Sequence, residues 1–153
     1  MRAVVQRVRF ARVKVGDEIV GAIERGLFVL LGVGAGDTEV DAAWMARKLV
    51  PLRVFEDAQG KMNLSLAQVG GGLLLVSQFT LYGDVQKGTR PSFIDALAPG
   101  PAEALYRRVV ELCRAAGAAV AEGRFRADMQ IELLADGPVT LVLESPKASP
   151  AVG

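Results

Sequence analysis

Over the first third of the chain, apolar residues come in bursts of strand length. Val4 to Phe10, Val13 to Val15 and Ile19 to Ile23 are rich in β-branched residues and are broken at Gly16-Asp17 and Gly21. The run from Gly26 to Val33 is continuously apolar, as suits a strand covered on both faces. The period then changes. Thr38 with Asp41 three residues later resembles a capping box, and Ala42, Met45, Ala46 and Leu49 recur at helical spacing before Pro51. Strands are expected again at Leu52 to Phe55 and, after Gly70-Gly71-Gly72, at Leu73 to Phe79.

Residues 83–100 contain three Gly and two Pro and read as a long loop, which is uncommon in a compact domain unless it has a function. A second helix follows. Pro101 suits its first turn, Leu105, Val109, Leu112, Cys113 and Ala116 form one apolar stripe, and Gly117 is the stop. Met129, Ile131 and Leu133 share one strand face, and Val139, Leu141 and Leu143 share another after a Gly137-Pro138 turn. This pattern predicts a mixed α/β fold, with β-sheets packed face to face and two helices on an outer side. It predicts one domain over residues 1–144 and a loose tail over 145–153.

Composition narrows the chemistry. The chain has 153 residues, of which 51% are apolar, and 18 basic residues (13 of them Arg) against 17 acidic ones give a net charge of +1. That balance excludes disorder as the overall state and excludes binding of nucleic acid by bulk charge. With glycine counted, the apolar share exceeds the globular norm of ~45–50%, which suggests a buried subunit contact. There is no histidine, so no Ser-His-Asp triad, Cys-His dyad or histidine-based zinc site can form. The single Cys113 excludes an internal disulfide, and its place on the apolar stripe makes it a core residue. No cofactor or metal is expected. With no stretch of signal-peptide or membrane-spanning length, the chain reads as cytoplasmic and without a membrane partner.

Two glycine-rich segments are decoys. Gly32-Val33-Gly34-Ala35-Gly36 lies between a strand and a helix. Its third glycine comes one residue early for a dinucleotide fingerprint, however, and Asp37 puts negative charge where a pyrophosphate needs amides. Gly83-Asp84-Val85-Gln86-Lys87-Gly88-Thr89 nearly spells a phosphate loop, but it lacks the lysine after Gly88 and leads into Arg90-Pro91.

The informative segment is Ser77-Gln78-Phe79-Thr80-Leu81-Tyr82-Gly83-Asp84, a strand end with several hydrogen-bonding side chains. Three further segments accompany it: Gly88-Thr89-Arg90-Pro91-Ser92-Phe93, Asp136-Gly137-Pro138-Val139-Thr140, and Phe55-Glu56-Asp57 through Gly60-Lys61-Met62-Asn63-Leu64-Ser65-Leu66. Together with the opening Met1-Arg2-Ala3-Val4-Val5-Gln6-Arg7-Val8, they resemble the D-aminoacyl-tRNA deacylase family over about residues 1–144. Two positions depart from the family pattern: Ala135 stands in place of Asn, and Arg126 in place of Gly.

The resemblance implies hydrolysis of the ester that joins a D-amino acid, or glycine, to the terminal adenosine of tRNA. It also implies a homodimer with its sites at the subunit interface. Carried onto this chain, Ser77, Gln78, Phe79 and Thr80 form the reacting wall, and Met129 lies along the adenosine. Gly137 and Pro138 form a cis-peptide chiral gate that enters the partner subunit's pocket, and Arg7 helps hold that loop. Two backbone carbonyls on such a gate suit an α-ammonium and can reject an L side chain by clash. A chain without histidine is compatible with this chemistry, because the aminoacyl ester is activated and has a neighbouring ribose 2′-hydroxyl. Arg7, Arg9, Arg12 and Lys14, with Lys87 and Arg90 on the long loop, are the candidate phosphate contacts for the tRNA body. The rival readings are a non-catalytic RNA-binding module on the same fold and a small-molecule-binding β protein.

Overall fold

The computed structural model describes residues 1–147. In chain order the elements are β1 (Arg2–Val15), β2 (Glu18–Ile23), β3 (Gly26–Gly32), α1 (Glu39–Leu49), β4 (Phe55–Glu56), β5 (Met62–Leu64), α2 (Leu66–Val69) and β6 (Gly72–Ser77). A 3-10 turn at Phe79–Tyr82 follows, and then α3 (Pro99–Ala115), β7 (Ala119–Glu122) and β8 (Gln130–Glu144).

Six strands form one sheet in the order β2-β1-β3-β6-β7, with β8 on the other edge of β1. The long strand β1 is the spine. Its Arg2–Val8 half pairs antiparallel with β3, its Ala11–Val15 half pairs antiparallel with β2, and β8 runs antiparallel along both halves. β3, β6 and β7 are parallel neighbours, so the crossovers between them must be long, and α1 and α3 lie in those crossovers. The expected facing β-layers arise within this one continuous sheet. β2 folds against the end of β7 so closely that a Cβ on Gly21 would lie 2.1 Å from the Glu122 carbonyl oxygen.

Alternation along the strands divides the core in two. Ala3, Val5, Leu27, Val29, Leu31, Leu73 and Leu75 face α1 and α3, where they meet Met45, Leu49, Val109 and Cys113. Val8, Ala11, Val13, Phe28, Leu74 and Val76 fill the inside of the folded sheet beneath Met129 and Leu133. Each fully buried aliphatic side chain there contributes roughly 1.5–3 kcal/mol from apolar transfer.

α1 has the expected capping box, with the Thr38 hydroxyl accepting from Val40 N and the Asp41 carboxylate accepting from Thr38 N. α3 begins two residues before Pro101 and, of the expected stripe, buries Val109 and Cys113, half-buries Leu105 and Leu112 and leaves Ala116 exposed past its end. Ala102, Tyr106 and Val110 are buried beside them, and burial pushes the Cys113 thiol up to about 11. The structure revises four expectations. The strand expected to end at Phe79 stops at Ser77, and the chain turns into the 3-10 segment. Of the Leu52–Phe55 strand, only Phe55 is in β4. β7 and the single turn of α2 carry too little apolar periodicity to register in the pattern.

The fourth revision concerns Gly137-Pro138, which does not end one strand and start another. β8 is continuous, and its partners on β1 jump from Thr140 opposite Gln6 to Ala135 opposite Val8. Asp136 to Val139 bulge out, and a proline is tolerated there because an edge strand at a bulge needs no N–H for the ladder. At the far end, Ser145 is buried and accepts from the Met1 ammonium, so the chain is anchored through that residue. Residues 148–153 of the expected tail lie outside the described residues.

Candidate active site

Where β6 ends, Gln78 N still donates to Leu31 O at 2.8 Å, but the next residues leave the sheet. The 3-10 turn closes through Leu81 N to Gln78 O and Gly83 N to Thr80 O. Opening a 3-10 turn leaves its first amides without a partner inside it, and the N–H groups of Phe79 and Thr80 make no hydrogen bond among the described residues. The Gln78 side-chain amide donates to the Thr80 hydroxyl. This cluster has two free backbone donors, an amide and a hydroxyl, and no base.

The cluster borders a cavity of about 680 Å³. Ser77, Gln78 and Phe79 form one wall, Met129 and Ile131 another, and Phe93 to Ala102 a third. The long loop thus has a structural role. It is pinned by paired Asp84–Ser92 backbone bonds, by Ala35 N to Asp95 O and by Leu97 N to Val33 O, and it stands Phe93 edge-on to Phe79 with ring centroids 5.1 Å apart. Phe79 is 56% exposed where it lines the cavity, so its ring is available for contact with a bound group. Met129 is fixed from below. Its sulfur accepts from Arg124 N at 3.4 Å, and Gly123 passes so close that a Cβ there would lie 2.7 Å from that sulfur.

The expected site residues therefore fall into two groups. Ser77, Gln78, Phe79 and Met129 line the cavity, and Thr80 adjoins it through Gln78. Gly137, Pro138 and Arg7 are elsewhere on the chain. Ile131, the nearest cavity residue on β8, is six residues from Gly137, roughly 20 Å of extended strand. The Gly137–Pro138 peptide is cis, with Gly137 at φ +124°. Arg7 is buried beside it. Nε donates to the Asp136 carbonyl at 3.2 Å, Nη1 donates to the Val54 carbonyl at 2.8 Å, and the Asp136 carboxylate lies 3.5 Å away.

Three of the six basic candidates are engaged. Arg7 is committed to those carbonyls, Arg9 lies 3.6 Å from Asp136, and Arg12 makes a two-point pair with Glu132 at 2.8 Å. Lys14, Lys87 and Arg90 make no ion pair among the described residues. Sequence reasoning gave no role to Phe125, Ala127 or Ile131 on the cavity wall, and it noted Arg126 only as a departure. Ala127 N donates to Arg124 O, closing a turn in which Arg126 sits at φ +64°, the one non-glycine residue with positive φ among those described. A glycine is at ease there, whereas an L side chain costs about 1 kcal/mol.

The fold and the cavity define a class: a mixed α/β protein with a cavity bordered by free backbone donors, an amide, a hydroxyl and one arginine. The sequence model of the family described as D-Tyr-tRNA(Tyr) deacylase matches residues 4–144, and the chain belongs to that family of enzymes. It is 62% identical over 146 residues to a D-aminoacyl-tRNA deacylase of Myxococcus xanthus, covering 95% of each chain. It is 58% identical over 149 residues to one of Geobacter metallireducens, covering 97% of this chain and 99% of the relative. A solved structure described as c-Myc DNA Unwinding Element Binding Protein superimposes with a TM-score of 0.91 at 44% identity, covering 96% of this chain and all of that one. A second, described as a probable eukaryotic D-amino acid tRNA deacylase, has a TM-score of 0.78 at 18% identity, covering 93% and 97%, and shares the fold.

Proposed function

We propose that this enzyme hydrolyses the ester of D-aminoacyl-tRNA, and of glycyl-tRNA mischarged on other tRNAs, and rejects L-aminoacyl esters by a backbone gate lent by a second copy of the chain. The observation that carries the reading is the separation of Gly137-Pro138 from the Ser77–Thr80 cavity. A bulge held out from an edge strand by a buried arginine has no use in its own chain's pocket, yet it is available to a neighbour's. In such a pair the Gly137 and Pro138 carbonyls accept from the substrate α-ammonium, and an L side chain meets backbone.

The chemistry needs no protein nucleophile. Water attacks the ester carbonyl beside the ribose 2′-hydroxyl, the free N–H groups of Phe79 and Thr80 receive the oxyanion of the tetrahedral intermediate, and the ribose 3′-oxygen leaves with a proton on the free tRNA. Met129 and Phe79 flank the adenosine. This reading implies a homodimer working in the cytoplasm in proofreading. Incubating the purified chain with D-tyrosyl-, L-tyrosyl- and glycyl-tRNA side by side tests it: rapid loss of the D and glycyl esters with the L ester intact is expected. Equal rates on D and L esters would overturn the gate. No turnover with retained binding would favour a nucleic-acid-binding module, the property named for the c-Myc DNA unwinding element relative.

A further inference from the structure

Arg126 stands on the cavity wall, exposed, with its guanidinium making no hydrogen bond or ion pair among the described residues. Its backbone holds a left-handed conformation that glycine would occupy without strain. The turn around it is rigid: Ala127 N bonds to Arg124 O, Arg124 N bonds to the Met129 sulfur, and the Arg124 side chain is taken by Glu18 at 3.3 Å. A fixed turn therefore presents one unneutralised cation at the entrance of a mostly apolar cavity, three residues from Met129.

The charge of the substrate decides what such a cation can meet. Resting on the reading above, the aminoacyl end carries a positive α-ammonium and no free carboxylate, so Arg126 is repelled from that end. The nearest anion on the same molecule is the phosphodiester on the 5′ side of the terminal adenosine, just beyond the nucleoside that Met129 supports. A guanidinium binds phosphate oxygens with two parallel hydrogen bonds. We infer that Arg126 is a substrate-binding residue that clamps the 5′-phosphate of the terminal nucleotide, in place of the glycine that the turn geometry favours.

The test compares two small substrates, 3′-O-D-tyrosyl-adenosine and its 5′-monophosphate, alongside D-tyrosyl-tRNA. For Arg126→Gln, which keeps a side chain but removes the charge, KM for the 5′-phosphorylated ester and for tRNA should rise about tenfold with kcat held within about twofold. The nucleoside ester should be hydrolysed as by the unaltered enzyme. Arg126→Gly should show the same split while melting no lower, because glycine suits the turn, and Arg126→Lys should restore part of the affinity. The salt dependence of kcat/KM on tRNA should flatten by about 0.7 in log–log slope, the value of one lost single-strand phosphate contact. Equal losses on both small substrates, or a loss in Arg126→Gly that Arg126→Gln does not share, would overturn the assignment in favour of loop geometry. Failure of the unaltered enzyme to cleave any D-tyrosyl ester would instead overturn the deacylase reading itself.

Discussion

Arg7 and Asp136 are joined twice, by a hydrogen bond from Nε to the Asp136 carbonyl at 3.2 Å and by the carboxylate at 3.5 Å, immediately before Gly137-Pro138. The same guanidinium reaches Val54 O, so one buried cation ties the β8 bulge to the segment leading into β4. A Cβ on Gly137 would lie 2.9 Å from Val139 N and 3.2 Å from Arg7 Nη2, so a side chain there crowds the backbone and presses on the guanidinium. Arg7→Lys cannot reproduce the fork and leaves one carbonyl without its donor, at a cost of about 1–3 kcal/mol. The variant should fold with a lower urea midpoint and lose deacylation by more than its unfolded fraction explains. Unchanged activity would separate Arg7 from the function of the bulge.

The Thr80 hydroxyl accepts from the Gln78 amide and has no base beside it, so it is poorly placed to act as a nucleophile. Thr80→Ala should retain deacylation with a loss of about 10–100-fold, or about 1.4–2.7 kcal/mol of barrier, through lost positioning of Gln78 and the free amides. A D-tyrosyl-tRNA ending in 2′-deoxyadenosine should bind but turn over little. A dead Thr80→Ala with normal turnover of the deoxy substrate would make Thr80 the nucleophile.

Cys113 is fully buried among the α3 residues that pack on the sheet, and burial raises its thiol from 9.0 to about 11. The neutral thiol is thus the favoured form in the folded chain. Its stabilising contribution is complete below about pH 9 and is lost as pH rises toward 11. At pH 8 the folded protein should resist thiol alkylation and react only after denaturation, which mass spectrometry reads directly. Prompt modification of the native protein would contradict the packing.

The Met1 ammonium is fully buried and sits 2.8 Å from Asp37, whose carboxylate also accepts from Gly34 N at 2.7 Å. Without Asp37 the buried ammonium keeps only the Ser145 hydroxyl and the field of Asp41, so Asp37→Ala should cost up to about 3 kcal/mol in chemical denaturation. The loop under Tyr82 should loosen with it, because the Tyr82 ring is so close that a Cβ on Gly34 would lie 2.6 Å away.

Strand and helix periods made β1, β3, β6, α1 and α3 legible because each buries a regular set of side chains. The loop at 83–100 is legible from its length and its Gly and Pro content, but Phe93 and Ala96 gain meaning only where they line one cavity with Phe79 and Met129. Sequence does not distinguish a bulge from a turn at Gly137-Pro138, because Gly-Pro between alternating runs has the same local signature in both cases. Only the pairing of Gln6 with Thr140 and Val8 with Ala135 tells them apart. Strand spacing likewise puts Arg12 and Lys14 on one face, but it cannot show that Glu132 sits across from Arg12.

Subunit complementation tests most directly whether the site is shared between two copies, as proposed. Gly137→Ala obstructs the bulge but leaves its own cavity intact, whereas Gln78→Ala with Phe79→Ala strips the cavity wall and leaves the bulge untouched. Each variant alone should be nearly inactive on D-tyrosyl-tRNA. Unfolded together and refolded at equal ratio, half of the dimers should be mixed, each with one complete site, and about a quarter of the original activity should return. If the mixture stays as inactive as its parts, or if a folded monomer proves fully active, the site is not shared between two copies.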